Sequence, residues 1–175
     1  MALSPPIDPA IDLGDVALRL AMSVLIGALI GLDREWRGKP VGIRTLALVS
    51  LGAALVSLST FHLDALNNEP DAISRVVQGI IQGVMAGIGF IGAGAILRHP
   101  HERSVQNLTT AATVWVAAAL GIACGLATWE IVWIGAGLTL VVLVVLNPLD
   151  RWIDRRRADA IGNRNDPDPQ DAQSD

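Results

Sequence analysis

This chain is poor in charge and in cysteine, and nothing in it is arranged like a catalytic centre. Of its 175 residues, 17% are charged and 51% hydrophobic, with a mean hydropathy of +0.46; a soluble domain would carry more charge. The single cysteine, Cys124, lies inside an apolar stretch, so an intrachain disulfide framework is excluded. There is no glycine-rich phosphate loop with its lysine, and no Ser/His/Asp set that the topology would bring together. His99 and His101 flank Pro100 in a basic segment, and two histidines this close on a loop fall short of the ligands a tetrahedral metal site needs. The opening residues, MALSPPIDPAIDLGD, lack the basic start of a signal peptide. The first apolar stretch is therefore expected to stay in the mature protein. No segment alternates between inward and outward faces, which excludes transmembrane strands. An intramembrane enzyme would need ionisable side chains at depth, and the centres of the apolar stretches offer none. The expectation is a protein that is not an enzyme, with no cofactor and no metal centre.

What the sequence does have is five apolar stretches, roughly 16–32, 45–63, 76–97, 109–127 and 131–146. Most approach the ~20 residues that cross a bilayer core of ~30 Å. The segments between them alternate in charge. The first carries Arg34, Arg37, Lys39 and Arg44; the third carries Arg98 and Arg103; the C-terminal flank carries Arg151, Arg155, Arg156 and Arg157. The N-terminal arm instead holds Asp8, Asp12 and Asp15, the second segment Asp64, Glu69 and Asp71 against one Arg75, and the last only Trp129 and Glu130. Basic segments mark the cytoplasmic side. The predicted fold is an all-α integral membrane protein with five transmembrane helices, N-terminus out and C-terminus in. Helices satisfy every backbone group internally, as hydrocarbon demands. Residues 1–15 read as an extracytoplasmic arm and 16–146 as the membrane domain. Residues 147–175 read as a basic juxtamembrane segment followed by an acidic tail too poor in apolar residues to fold. The formal net charge of −4 sits in the tails and outer segments, so no nucleic-acid partner is implied. The lipid bilayer is the expected partner.

The third stretch is the most informative. It holds Gly79, Gly83, Gly87, Gly89, Gly92 and Gly94. At about 100° per residue on a continuous helix, Gly79, Gly83, Gly87 and Gly94 share one narrow arc, and Gln78, Gln82 and Gly89 an adjacent one. Val77, Ile80, Ile81, Val84, Ile88 and Ile91 gather opposite. The bulky face suits lipid and the small, polar face suits protein, because small residues four apart let helix backbones approach. Two readings stand: tight helix packing, within the chain or with a second copy or another membrane protein, or a broken helix whose free carbonyls line a solute path with Gln78 and Gln82. Gly27 with Gly31, and Gly121 with Gly125, are weaker pairs of the same kind in the first and fourth stretches. Thr109, Thr110 and Thr113 open the fourth, where Asn107 is positioned to cap it.

The first basic segment is the second candidate site. Asp33 follows a helix C-terminus and Arg44 opens the next helix, so each charge opposes the local macrodipole. That arrangement predicts an Asp33–Arg44 pair across a turn at Gly38, Pro40 and Gly42. The alternative is a solvated cluster that fixes topology. If the helix runs on, Asp33 with Arg37 and Glu35 with Lys39 are spaced to pair along it.

The run GALIGLDREWRGKPVGIRTLALVSLGAAL (27–55), then GIGFIGAGAIL (87–97) and VQNLTTAATVW (105–115), resembles the MgtC/SapB family of bacterial inner-membrane proteins, over about residues 16–146. Motif positions of that family fall on Gly31, Asp33, Arg34, Glu35, Gly42, Arg44, Thr45, Gly87, Gly89, Gly92, Gly94, Thr109, Thr110 and Trp115. Asn107 stands where the family usually has glycine; Asn also tolerates a left-handed backbone. Longer members append a soluble cytoplasmic domain, and this chain resembles the form without it. The resemblance implies a multi-pass protein of the bacterial inner membrane. It further implies a regulatory role in adaptation to low magnesium or acid stress, associated with virulence in pathogens, or else transport of Mg²⁺ or another small solute.

Overall fold

The computed structural model describes residues 13–62, 70–96 and 107–162, excepting the side chains of 61, 62, 70 and 146–162. These residues form five α-helices and one short 3₁₀ turn: α1 (Leu13–Trp36), α2 (Ile43–Leu58) continued by η1 (Ser59–His62), α3 (Pro70–Ala95), α4 (Leu108–Leu126) and α5 (Trp129–Gly162). The outer arm before Leu13, the rest of the second segment, His99, His101 and the acidic tail lie outside the described residues.

Three helices, α1, α3 and α4, are long and apolar enough to cross a membrane, while α2 and the apolar part of α5 (Trp129–Val145) are shorter. Each helix exceeds its apolar stretch at an end. α1 runs four residues past Leu32 through Asp33–Trp36, and α3 starts at Pro70, a residue suited to a first helical position because its missing N–H needs no partner there. α3 is continuous over its 26 residues, so the reading of a broken third helix does not hold. α5 stays helical to Gly162, through a segment whose composition pointed to a juxtamembrane stretch and tail.

The chain divides after Thr139 into two units. In the first, α2 lies between α1 and α4, α1 also touches α4, and α3 packs chiefly on α4. The interior is built from Ile26 and Ile30 of α1, Leu46, Ala53 and Ala54 of α2, and Val114, Ala117, Ala118 and Cys124 of α4. Glycines set the spacing. A Cβ on Gly27 would lie 2.5 Å from the carbonyl oxygen of Leu46, and one on Gly31 2.5 Å from Cα of Ile43. A Cβ on Gly121 would collide with the backbone of Ser50, and one on Gly125 would lie 2.9 Å from Cβ of Ser57. At these four positions the helices approach as closely as glycine allows, the arrangement that dispersion favours where lipid tails provide no hydrophobic drive. The second unit is the remainder of α5, whose Val141, Val142, Val144 and Val145 are exposed.

α3 faces the other way from the sequence expectation. Ile88 and Gly92 are buried and Val77, Ile80 and Val84 half-buried, with Gly92 against Ala111 of α4. Gly79, Gly83, Gly87, Gly89 and Gly94 have nothing within 4 Å of where a Cβ would be. Gln78 and Gln82 are exposed beside them, as are Ile81 and Ile91. Within one chain, then, most of the bulky arc is the packed face and the glycine arc the open one. On the packed face Gly92 lies against Ala111 of α4 and Ile88 is buried one turn before it; large apolar side chains on that face gain dispersion contacts that glycine cannot make. The outward surface of the first unit carries Leu25, Leu29, Leu48, Leu55, Phe90, Trp115 and Ile134, a density of exposed apolar side chains that belongs in lipid rather than water.

Candidate functional site

The polar features converge on the end of the first unit where α1 stops, α2 starts and α4 starts. α1 closes with a Schellman motif: Lys39 N–H donates to Arg34 O at 3.0 Å and Gly38 N–H to Glu35 O at 3.0 Å, and Gly38 takes φ +63°, which glycine alone adopts without penalty. Pro40 then prevents helix continuation. α2 begins after Gly42, which has no side chain to cap it. Glu35 supplies the cap from α1 instead, its Oε2 accepting from Ile43 N–H at 3.1 Å. A carboxylate there also satisfies the positive end of the helix dipole.

Asp33 does not pair with Arg44. It accepts from Arg37, with Nη2 at 2.8 Å and Nε at 2.9 Å, while Arg44 and the neighbouring Thr45 are exposed on α2. Because α1 runs one turn further than the apolar stretch, Arg37 comes within reach four residues on, and the partner across the turn is not needed. Both Asp33 and Arg37 side chains are largely covered.

Arg34 is the unusual member. It is 4% exposed, and its Nη2 donates to Thr110 Oγ1 in the first turn of α4. Its Nε is buried and has no hydrogen-bond partner among the described residues. Thr110 is equally buried. Thr109 is exposed, and its carbonyl accepts from Thr113 Oγ1 at 2.7 Å. Asn107 precedes α4 in a left-handed conformation, φ 68°, and its side chain makes no cap. The expected capping role is thus absent, because a residue in that conformation cannot turn its amide onto the N–H groups ahead of it; the left-handed backbone that a family glycine would favour is kept. Gln78 and Gln82 lie on α3's open face.

A second polar contact was not anticipated from sequence. Arg19, inside α1, donates Nε to Asp15 Oδ2 at 2.7 Å and Nη1 to the carbonyls of Cys124 and Ala127 at 3.0 and 3.3 Å. Its guanidinium lies 5.3 Å from the ring centre of Trp129. One side chain thereby caps the C-terminus of α4 and meets the start of α5. The available signal was a lone arginine in an apolar helix four residues after an aspartate.

A profile of the MgtC family matches residues 20–152, which cover the hairpin, the α4 start and the whole interior just described. The chain belongs to the MgtC family. Among its relatives, protein SrpB of Synechococcus elongatus is 39% identical over 142 residues, 78% of this chain and 77% of SrpB. Protein MgtC of Salmonella typhimurium is 42% identical over 113 residues, 65% of this chain. YhiD of Escherichia coli, described as a candidate magnesium transporter, is 36% identical over 132 residues, 75% of this chain. The match spans 44% of the length of Salmonella MgtC and 60% of YhiD. No solved structure matches. The described residues of this MgtC-family membrane protein are helical throughout, apart from short turns.

Proposed function

We propose that this protein crosses the bacterial inner membrane five times, N-terminus outside, and acts there as a non-enzymatic regulator in adaptation to low magnesium or acid stress. In a pathogen that role would serve virulence. The alternation of charge supports the threading, and the description of its relative YhiD as a candidate magnesium transporter supports the link to magnesium. The observation that carries the choice of regulator over transporter is the close approach of α1, α2 and α4, where a Cβ at Gly27, Gly31, Gly121 or Gly125 would already collide with the neighbouring helix; a hydrated ion passing between these three helices would have to part them. Mg²⁺ holds its waters tightly and takes oxygen ligands, and the Asp33 carboxylate at the hairpin is already engaged by Arg37. The open face of α3 fits a protein contact instead. Gln78 and Gln82 beside Gly79, Gly83 and Gly87 present amides that hydrocarbon would leave unsatisfied, in a surface small enough for a second copy or another membrane protein to approach.

Deletion should impair growth in low-magnesium or acidic medium while leaving total Mg²⁺ uptake intact. The purified protein in liposomes should carry no Mg²⁺ flux above that of protein-free vesicles. A flux that Asp33→Asn or Gln82→Leu abolishes would establish the transporter reading in place of the regulator.

A further inference from the structure

Arg34 is a buried charge with no counter-charge at hydrogen-bonding distance among the described residues. Its hydrogen bond goes to a neutral hydroxyl, Thr110, and the adjacent carboxylate, Asp33, is bonded to Arg37. Its Nε–H is buried and has no partner among the described residues. Removing a guanidinium from water costs several kcal/mol unless an anion and further hydrogen bonds compensate. The same spot holds the amino end of α4. Leu108, Thr109 and Thr110 carry the N–H groups that no helical carbonyl can reach, and Asn107 does not cap them. Thr110 Oγ1, having accepted from Arg34, still has a proton to donate. Guanidinium, hydroxyl and helix N-terminal N–H groups are all donors; the guanidinium meets the hydroxyl in the first turn of α4, and no carboxylate among the described residues bonds to either.

We infer that Arg34, Thr110 and the first turn of α4 form a binding site for a phosphoryl oxyanion. Such a group matches the donor set: its oxygens take the fork of an arginine in two parallel bonds, and helix N-termini favour anions through both their free N–H groups and the dipole. A side chain that carries Arg34 from the end of one membrane helix to the start of another places the site at membrane-surface depth. There the phosphoryl group can come from a phospholipid head group or from free phosphate. The inference does not depend on whether the protein regulates or transports.

The test uses the full chain purified in dodecyl maltoside, which contains no phosphate. Thermal unfolding is followed while sodium phosphate is added against sodium chloride at matched ionic strength. In a parallel series phosphatidylglycerol is added in mixed micelles, against an uncharged diacylglycerol. A ligand specific for the folded state raises the midpoint in proportion to its binding. A rise with phosphate identifies the free anion as a ligand, and a rise with phosphatidylglycerol alone identifies the lipid head group. Arg34→Gln should weaken either response by at least about tenfold, the scale of a lost charge-assisted bond. Arg44→Gln, which removes an exposed cation at the same end, should leave it unchanged. If Arg34→Gln does not fold, Arg34→Lys is read in its place, because it keeps the charge and loses the fork. No response of the native protein to either probe would overturn the inference, as would equal responses in the native protein and the Arg34 variant.

Discussion

At the scale of single residues, the same amino acid does opposite things in this molecule. Gly121 lies where a Cβ would strike the backbone of Ser50, and Gly87 lies where a Cβ would meet nothing. Gly121→Ala should therefore destabilise the protein in detergent by about 1–3 kcal/mol, the usual cost of overpacking. Gly87→Ala should leave it unchanged or raise its stability by up to about 1 kcal/mol through helix propensity. Chemical unfolding of both variants beside the native chain checks this; equal losses would mean that the contact at Ser50 is not what the glycine is for. The charged residues give a second residue-scale expectation. In a double-mutant cycle, Asp33→Asn and Arg37→Gln should couple by about 0.3–0.5 kcal/mol, as helical neighbours do, whereas Asp33→Asn and Arg44→Gln should add. Coupling confined to the second pair would restore the cross-turn bridge that charge placement alone favours. Sequence could name Asp33 and its possible partners, since spacing gives the menu. It could not choose, because the choice depended on α1 continuing for one more turn past its apolar stretch.

At the scale of elements, the helices themselves were legible and the orientation of α3 was not. Five apolar runs of the right length can be little else in hydrocarbon, and the Gly27, Gly31, Gly121 and Gly125 positions lie where their spacing would put a close contact. For α3 the sequence shows a bulky arc and a small arc but not which turns inward. In water, apolarity itself would decide. In lipid both surroundings are apolar, so only the shape of the neighbour decides, and the neighbour is α4, whose Ala111 sits against Gly92 while Ile88 is buried nearby. The consequence separates folding from assembly. Ile88→Ala should destabilise the single chain by about 2–4 kcal/mol, as core truncations do. Gly87→Leu should leave the fold intact and weaken self-association or partner binding, read by crosslinking in native membranes. A fold that Gly87→Leu disrupts and Ile88→Ala spares would put α3 back to front.

At the scale of the whole molecule, the threading is open to direct measurement. Cysteines introduced at Asn68 and Asn163 should react with an impermeant thiol reagent from opposite sides of the membrane, Asn68 from outside and Asn163 from the cytoplasm. Labelling of Asn68 from the cytoplasm alone would reverse the orientation. The lone native thiol does not interfere, because Cys124 is buried. Arg19 and Arg34 show what a sequence reading misses at this scale. Each acts through partners more than seventy residues away, and nothing local to either residue announces them. Length is the last molecular quantity at stake. α2 has 16 residues, about 24 Å at 1.5 Å each, some 6 Å less than a typical hydrocarbon thickness of about 30 Å. The four residues of η1 add roughly 8 Å as a 3₁₀ turn, against about 6 Å if wound as α-helix. If α2 crosses the bilayer as proposed, it does so only with η1 added, and that turn is the end at which a change in lipid chain length would be taken up, away from the glycine contacts along α2.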